Sequence, residues 1–195
     1  MMLNSSGNIY AMNLIAKLLY SLPNRIERRR LRFIFCGLTG NKPNGLIVRG
    51  KFYLENKNVT IGKNVDLYPG VTFAGNGEIR IGNNCKIGQN TIIYANSNGG
   101  VVIGDNTIIA AQNYIIDSNH NMEAGRNISE QGLSSALVTI GEDVWLGANV
   151  TVIKGAVINN GVVVGAKSLV NSEIAENSIA VGVPARVIGT RKNCE

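Results

Sequence analysis

Most of the chain lacks both the alternation of a half-buried strand and the three-to-four spacing of an amphipathic helix. From residue 61 a large apolar side chain instead recurs every six residues. Ile61, Leu67 and Phe73 share one phase, as do Ile81, Ile87 and Ile93, and then Ile103, Ile109 and Ile115. A fourth run continues without a slip through Ile140, Leu146, Val152, Ile158, Val164 and Val170. Four residues after most anchors stands a small or β-branched residue: Val65, Val71, Cys85, Thr91, Thr107, Val144, Val150, Ala156, Val162 or Ser168. Glycine directly follows many anchors, as at Gly62, Gly82, Gly88, Gly104, Gly141, Gly147 and Gly165.

A phase locked at six predicts a triangular coil. Each unit is a short strand and a corner, and three units close one turn of about 18 residues. Coils then stack at about 4.8 Å, the spacing of neighbouring strands. The anchors fill the interior, each worth roughly 2 kcal/mol gross on burial. The small residue fits where faces converge, and Gly and Asn are expected to relieve tight corners.

The phase slips in three places. Ile61 to Ile81 is 20 residues, Ile81 to Ile103 is 22, and Ile103 to Ile140 is 37. The extra residues follow Phe73, Ile93 and Ile115, so all three insertions leave the same edge of the prism. They hold Gly75-Asn76-Gly77, Asn96 to Gly100, and a long excursion over 116–139 that begins Asp117-Ser118-Asn119-His120. Polar loops gathered on one edge of a rigid scaffold are where chemistry usually sits.

His120 is the single histidine of the chain. It reads either as a solvated loop residue or as a general base, because an imidazole titrates near neutral pH. Asp117 reads as its orienting partner or as a simple turn former. Trp145, five residues after Ile140, should point outward, as a subunit contact or a ligand-channel wall. Lys167 reads as a solvated face residue.

Charge narrows the partners. The chain carries 19 basic and 13 acidic residues, but residues 1–35 hold +5 of the +6 net charge. The repeat body is nearly neutral, which argues against nucleic acid. Cys36, Cys85 and Cys194 have neither a paired framework nor metal spacing, so a reducing, cytoplasmic compartment is expected. The apolar stretch from Ala11 to Leu22 is short and broken by Lys17, so it is not expected to span a bilayer.

The stretch from Val144 to Ile188, VWLGANVTVIKGAVINNGVVVGAKSLVNSEIAENSIAVGVPARVI, resembles the galactoside, maltose and capsular-polysaccharide O-acetyltransferases of the hexapeptide-repeat acyltransferase family. The resemblance covers roughly residues 45–190 and implies an all-β, left-handed parallel β-helix. General crossover rules favour the opposite hand, so the hand rests on the resemblance alone.

It also implies acetyl-coenzyme A as co-substrate, a sugar or surface polysaccharide as acceptor, and a homotrimer with active sites between subunits. By position His120 is the base that deprotonates the acceptor hydroxyl. The Ala148 amide lies beside the thioester carbonyl, where it stabilises an oxyanion. Ala166, Asn171 and Ser172 line the coenzyme channel, and Arg186 pairs with the coenzyme's phosphates. Gly189 stands where the sugar enzymes often carry a basic residue, which Arg191 and Lys192 are expected to replace. Asn96 and Asp117 are expected on the acceptor side. No metal is expected: the zinc carbonic anhydrases of this fold need three histidine ligands.

Residues 1–40 read as a helical cap, with helix over 9–35 broken near Ser21-Leu22-Pro23-Asn24 and Asn24 as a cap residue. Residues 41–190 form the β-helix and 191–195 a tail. The basic helix is expected to cover the first coil's edge. A second role is docking to an anionic membrane face. Two other functions compete. One is N-acetylation of a nucleotide-linked amino sugar, whose enzymes usually carry a G-x-G segment that is not found here. The other is a non-catalytic scaffold, which needs neither a loop histidine nor a coenzyme-channel signature.

Overall fold

The computed structural model describes residues 25–192. Three parallel sheets form the faces of a prism, in six full coils and the opening strand of a seventh. This is the parallel β-helix the six-residue period requires. The first face holds Ile47–Val48, Asp66–Leu67, Lys86–Ile87, Ile108–Ile109, Trp145–Leu146, Val163–Val164 and Ser178–Gly182. The second holds Tyr53–Leu54, Thr72–Gly75, Ile92–Ala95, Tyr114–Ile116, Thr151–Val152 and Leu169–Val170. The third runs from Val59–Ile61 through Ile79–Ile81, Val101–Ile103 and Val138–Ile140 to Val157–Ile158.

Register confirms the anchors. Ile61, Ile81, Ile103, Ile140 and Ile158 pair in succession on the third face. All fifteen anchors are buried, none more than 5% exposed. The small residues line the same interior, and their polar atoms bond to the next coil. Thr107 Oγ1 donates to Gly141 O at 2.8 Å and Thr91 Oγ1 to Ala110 O at 3.2 Å.

One coil precedes the one the repeat announces. Val48 pairs with Leu67 and Leu54 with Phe73, so the prism begins at Ile47, one coil before the first anchor of the regular repeat and inside the expected 41–190. A one-residue slip between Leu54 and Ile61 hides this coil, and it falls at the same corner as the other insertions.

The corners divide the work of glycine and asparagine differently from expectation. Asn64, Asn84, Asn106 and Asp143 take the left-handed conformation at one corner, and Asn90, Gln112, Asn149 and Lys167 at the next. Their amides form a ladder, with Asn64 Nδ2 donating to Asn84 Oδ1 at 3.1 Å and Asn84 Nδ2 to Asn106 Oδ1 at 3.0 Å. The glycines after the anchors are required by stacking instead. A Cβ on Gly147 would lie 2.6 Å from Ala166 N, and one on Gly104 2.6 Å from Gly141 C.

Both ends of the prism are covered. A helix over 25–39 lays Leu31 and Phe35 on the first coil, where Phe35 meets Phe52 and Phe73 edge-on. The helix runs four residues past its expected end, and the expected segment over 9–24, with its Asn24 cap, lies outside the described residues. At the other end Ala185–Thr190 pairs antiparallel with Ser178–Gly182 and closes the sheet edge. Arg191 belongs to the folded body rather than to a tail: its guanidinium bonds Asp143 Oδ2 at 2.8 Å and Gly161 O at 3.0 Å.

Burial pushes the Cys85 thiol up to about 11, so it stays protonated and shielded. Iodoacetamide at neutral to mildly alkaline pH should modify half-buried Cys36 and spare Cys85. Mass spectrometry of tryptic peptides checks this, and both should react once the chain is unfolded.

Candidate active site

The long insertion is an ordered hairpin. Ser118–His120 pairs antiparallel with Leu133–Ser135, and the tip carries a short 3₁₀ turn at Ile128–Glu130. Asp117 and Ala136 close its root through the Ala136 N–H to Asp117 O bond at 2.9 Å. The excursion therefore spans 117–136, inside the expected 116–139.

Asp117 holds that root. Its side chain is fully buried, and Oδ2 accepts the amides of Asn96 at 2.7 Å and Gly100 at 2.5 Å. Oδ1 has no partner among the described residues. A Cβ on Gly99 would lie 2.4 Å from Asp117 Oδ2 and 3.1 Å from Ser135 Cβ, so this loop and the hairpin root pack as one unit. Asp117, expected on the acceptor side or as the histidine's orienting partner, has Oδ2 committed to the neighbouring loop. Asp117→Ala leaves two N–H groups without their acceptor and should cost about 1–3 kcal/mol. Chemical denaturation measures the loss, and faster tryptic cleavage at exposed Arg126 reports the loosened hairpin.

His120 is exposed and lies in an open groove of about 470 Å³ between the hairpin and the second face. Tyr114, Ile116, Met122, Ile128 and Ile153 form its apolar walls, with Ser118 and Asn119 beside the imidazole. Among the described residues no side-chain hydrogen bond holds the ring. Burial of the ring, then neighbouring Tyr94, raises the Tyr114 phenol above its ordinary value. Tyr114 is therefore a neutral hydroxyl on the groove wall at physiological pH. These wall residues escaped sequence reasoning. Their signal was an apolar side chain at an outward position beside an anchor, as at Tyr114 and Ile116 flanking Ile115.

The expected coenzyme residues fall at two corners. Ala148 and Ala166 stack between the first and second faces, one coil apart; Ala148 O accepts the Lys167 amide at 2.9 Å. The Ala148 and Ala166 amides donate to no group among the described residues, whereas Gly147 N and Gly165 N, one residue earlier, donate to the next coil at 2.8 Å. In an earlier coil the position equivalent to Ala148 is Pro69, which has no N–H to give. The ladder leaves this donor outside it.

Asn171 and Ser172 are exposed at the opposite end of the second face, on the corner that bears the hairpin. Arg186 is exposed on the closing hairpin opposite Val181, whose side chain covers Gly165. Arg191 is committed to Asp143 and Gly161, so it does not replace the missing basic residue. Asn96 is half-buried at the hairpin root, held through its own amide by Asp117. Trp145 is 53% exposed on the outer first face, in register with Ile108 and Val163. His120 thus leaves the prism at one corner and the Ala148 and Ala166 amides at another.

Comparison with known proteins places this architecture. Residues 138–178 match the bacterial transferase hexapeptide (six repeats) model, and residues 78–116 the hexapeptide repeat of succinyl-transferase. The protein named lipopolysaccharide biosynthesis O-acetyl transferase WbbJ of Escherichia coli K12 is 37% identical over 153 residues, covering 73% of this chain and 77% of that one. The chain belongs to the hexapeptide-repeat acyltransferase family. Galactoside O-acetyltransferase of the same bacterium is 35% identical over 136 residues, 66% of this chain and 62% of its relative. AntD, an N-acyltransferase from Bacillus cereus solved with dTDP and 3-hydroxybutyryl-CoA, superposes with a TM-score of 0.69 at 25% identity. That match covers 77% of this chain and 82% of AntD. The hexapeptide chain described here shares its prism with enzymes that handle acyl-coenzyme A.

Proposed function

We propose that the protein transfers acetyl from acetyl-coenzyme A to a hydroxyl of a sugar or surface polysaccharide, with His120 as general base. The observation that carries this reading is the placement of the single histidine in an open groove on the excursion hairpin. The family and its O-acetyltransferase members support the reaction type.

The residues divide the step as follows. The free imidazole nitrogen of His120 takes the acceptor's hydroxyl proton, and the oxygen attacks the thioester carbonyl carbon. The Ala148 amide donates to the oxyanion that forms. Collapse breaks the carbon–sulfur bond, and the imidazolium returns its proton to the departing thiolate. Arg186 holds coenzyme phosphate by charge-assisted hydrogen bonds, and Ala166, Asn171 and Ser172 line the channel.

A homotrimer accounts for the split site. Two corners of different prisms, one bearing His120 and one bearing Ala148, meet when neighbouring copies pack side by side. The reading places the enzyme in the cytoplasm, where acetyl-coenzyme A is available. N-acylation of a nucleotide-linked amino sugar remains the second reading, supported by the likeness to AntD. Mild alkali separates the two: it releases acetyl from an ester and leaves an amide intact. Alkali-labile product supports O-transfer, and alkali-stable product overturns it.

A further inference from the structure

The helix over 25–39 has two unlike sides. Leu31 and Phe35 are buried on the first coil. On the opposite side of the helix, at positions seven and four residues apart, lie Ile26, Phe33 and Gly37. Ile26 is 68% exposed and Phe33 79% exposed, the latter a degree of exposure unusual for so large a ring.

Arg29 and Arg30 flank this apolar strip, Arg25 and Arg32 lie farther round the helix, and Arg28 shares the side of Leu31 and Phe35. Arg25, Arg28, Arg29, Arg30 and Arg32 are all exposed, against one acid, Glu27, which pairs with Arg30 at 3.8 Å. Phe33 also walls an open, largely apolar groove of about 480 Å³ rimmed by Arg29, Arg32 and Lys42. The remaining coils are nearly neutral, so this cap holds most of the described net charge. Leu31 and Phe35, with half-buried Cys36, make the helix's packing on the core. Neither the arginines nor Phe33 contributes to that packing.

We infer that this helix docks the protein on an anionic lipid bilayer, with Phe33 and Ile26 entering the interface and the arginines pairing with lipid phosphates. The pattern fits a lipid surface in both its parts. An amphipathic helix that lies on a membrane presents an aromatic or aliphatic centre flanked by cations. Guanidinium pairs with phosphate through two bonds, and clustered cations gain from the negative surface potential within a Debye length of about 8 Å. A soluble polyanion would use the arginines and leave Phe33 in water. Among the described residues no helix is long and apolar enough to cross a membrane. The docking goes beyond the catalytic reading and is independent of it.

Vesicle flotation of the full chain, without acceptor or coenzyme, tests this. The probes are vesicles of phosphatidylcholine alone and of phosphatidylcholine mixed with phosphatidylglycerol. At about 0.1 M salt the mixed vesicles should bind about tenfold more protein than neutral ones. The R29Q/R30Q/R32Q variant should lose most of that gain, and Phe33→Ser should weaken binding several-fold. Both variants should keep the parent's melting temperature and oligomeric state, because the altered side chains are exposed. Equal binding to both vesicles, no binding, or undiminished binding by the arginine variant would overturn the inference. So would dissociation of the oligomer by Phe33→Ser, or binding to dextran sulfate without binding to vesicles.

Discussion

His120→Ala lowers kcat for acetyl transfer by about 10²–10⁴-fold, the usual worth of a positioned general base. The Michaelis constant for acetyl-coenzyme A changes little, because the imidazole acts on the acceptor's proton and is not among the residues assigned to the coenzyme. Folding is unaffected: the ring is exposed and holds no side-chain hydrogen bond among the described residues. Steady-state thiol release at saturating coenzyme and acceptor measures the loss. A variant as active as the parent removes His120 from the mechanism.

The second large effect comes from a backbone group, which a side-chain substitution cannot delete. Proline at position 148 removes the amide assigned to the oxyanion, and should lower kcat by about 10²–10³-fold. The prism itself shows how to make this change without unfolding it. Pro69 already occupies the equivalent corner of an earlier coil, followed by left-handed Gly70 as Ala148 is followed by left-handed Asn149. Gly50 lies beneath Pro69, and a Cβ there would come within 2.8 Å of the proline ring. Ala111 lies beneath Ala148, so the ring needs Ala111→Gly as well. The A111G/A148P pair copies the Gly50–Pro69 arrangement, and A111G alone is the control. The pair should keep the parent's fold by circular dichroism while losing kcat. Full activity in a folded double variant would show that the oxyanion is stabilised elsewhere.

The prism was legible in the sequence because its interior obeys one rule. Every anchor from Ile61 to Val170 fills the same kind of site, so period and residue type suffice to find it. The first coil was hidden where that rule weakens: Leu54 is only partly buried, and a single extra residue precedes Ile61. The insertion edge was legible for the same reason, since a slip in phase needs no knowledge of contacts.

Side-chain partnerships were not legible. Asp117 reads as a site residue by its nearness to His120, but nearness in sequence says nothing about the Asn96 and Gly100 amides that surround it. Arg191 reads as a free cation, yet it closes a corner against Asp143, 48 residues earlier. The glycines after the anchors read as corner residues, whereas the contact that requires them comes from the neighbouring coil. Each of these contacts lies between coils, which the six-residue period does not encode.

Acceptor-dependent thiol release from acetyl-coenzyme A is the most direct measurement. The parent chain would be supplied with a panel of sugars and surface oligosaccharides. The account predicts release that requires one of these acceptors and yields an alkali-labile acetylated sugar. No release with any of them, together with no binding of acetyl-coenzyme A by calorimetry, would contradict it and leave the prism a scaffold.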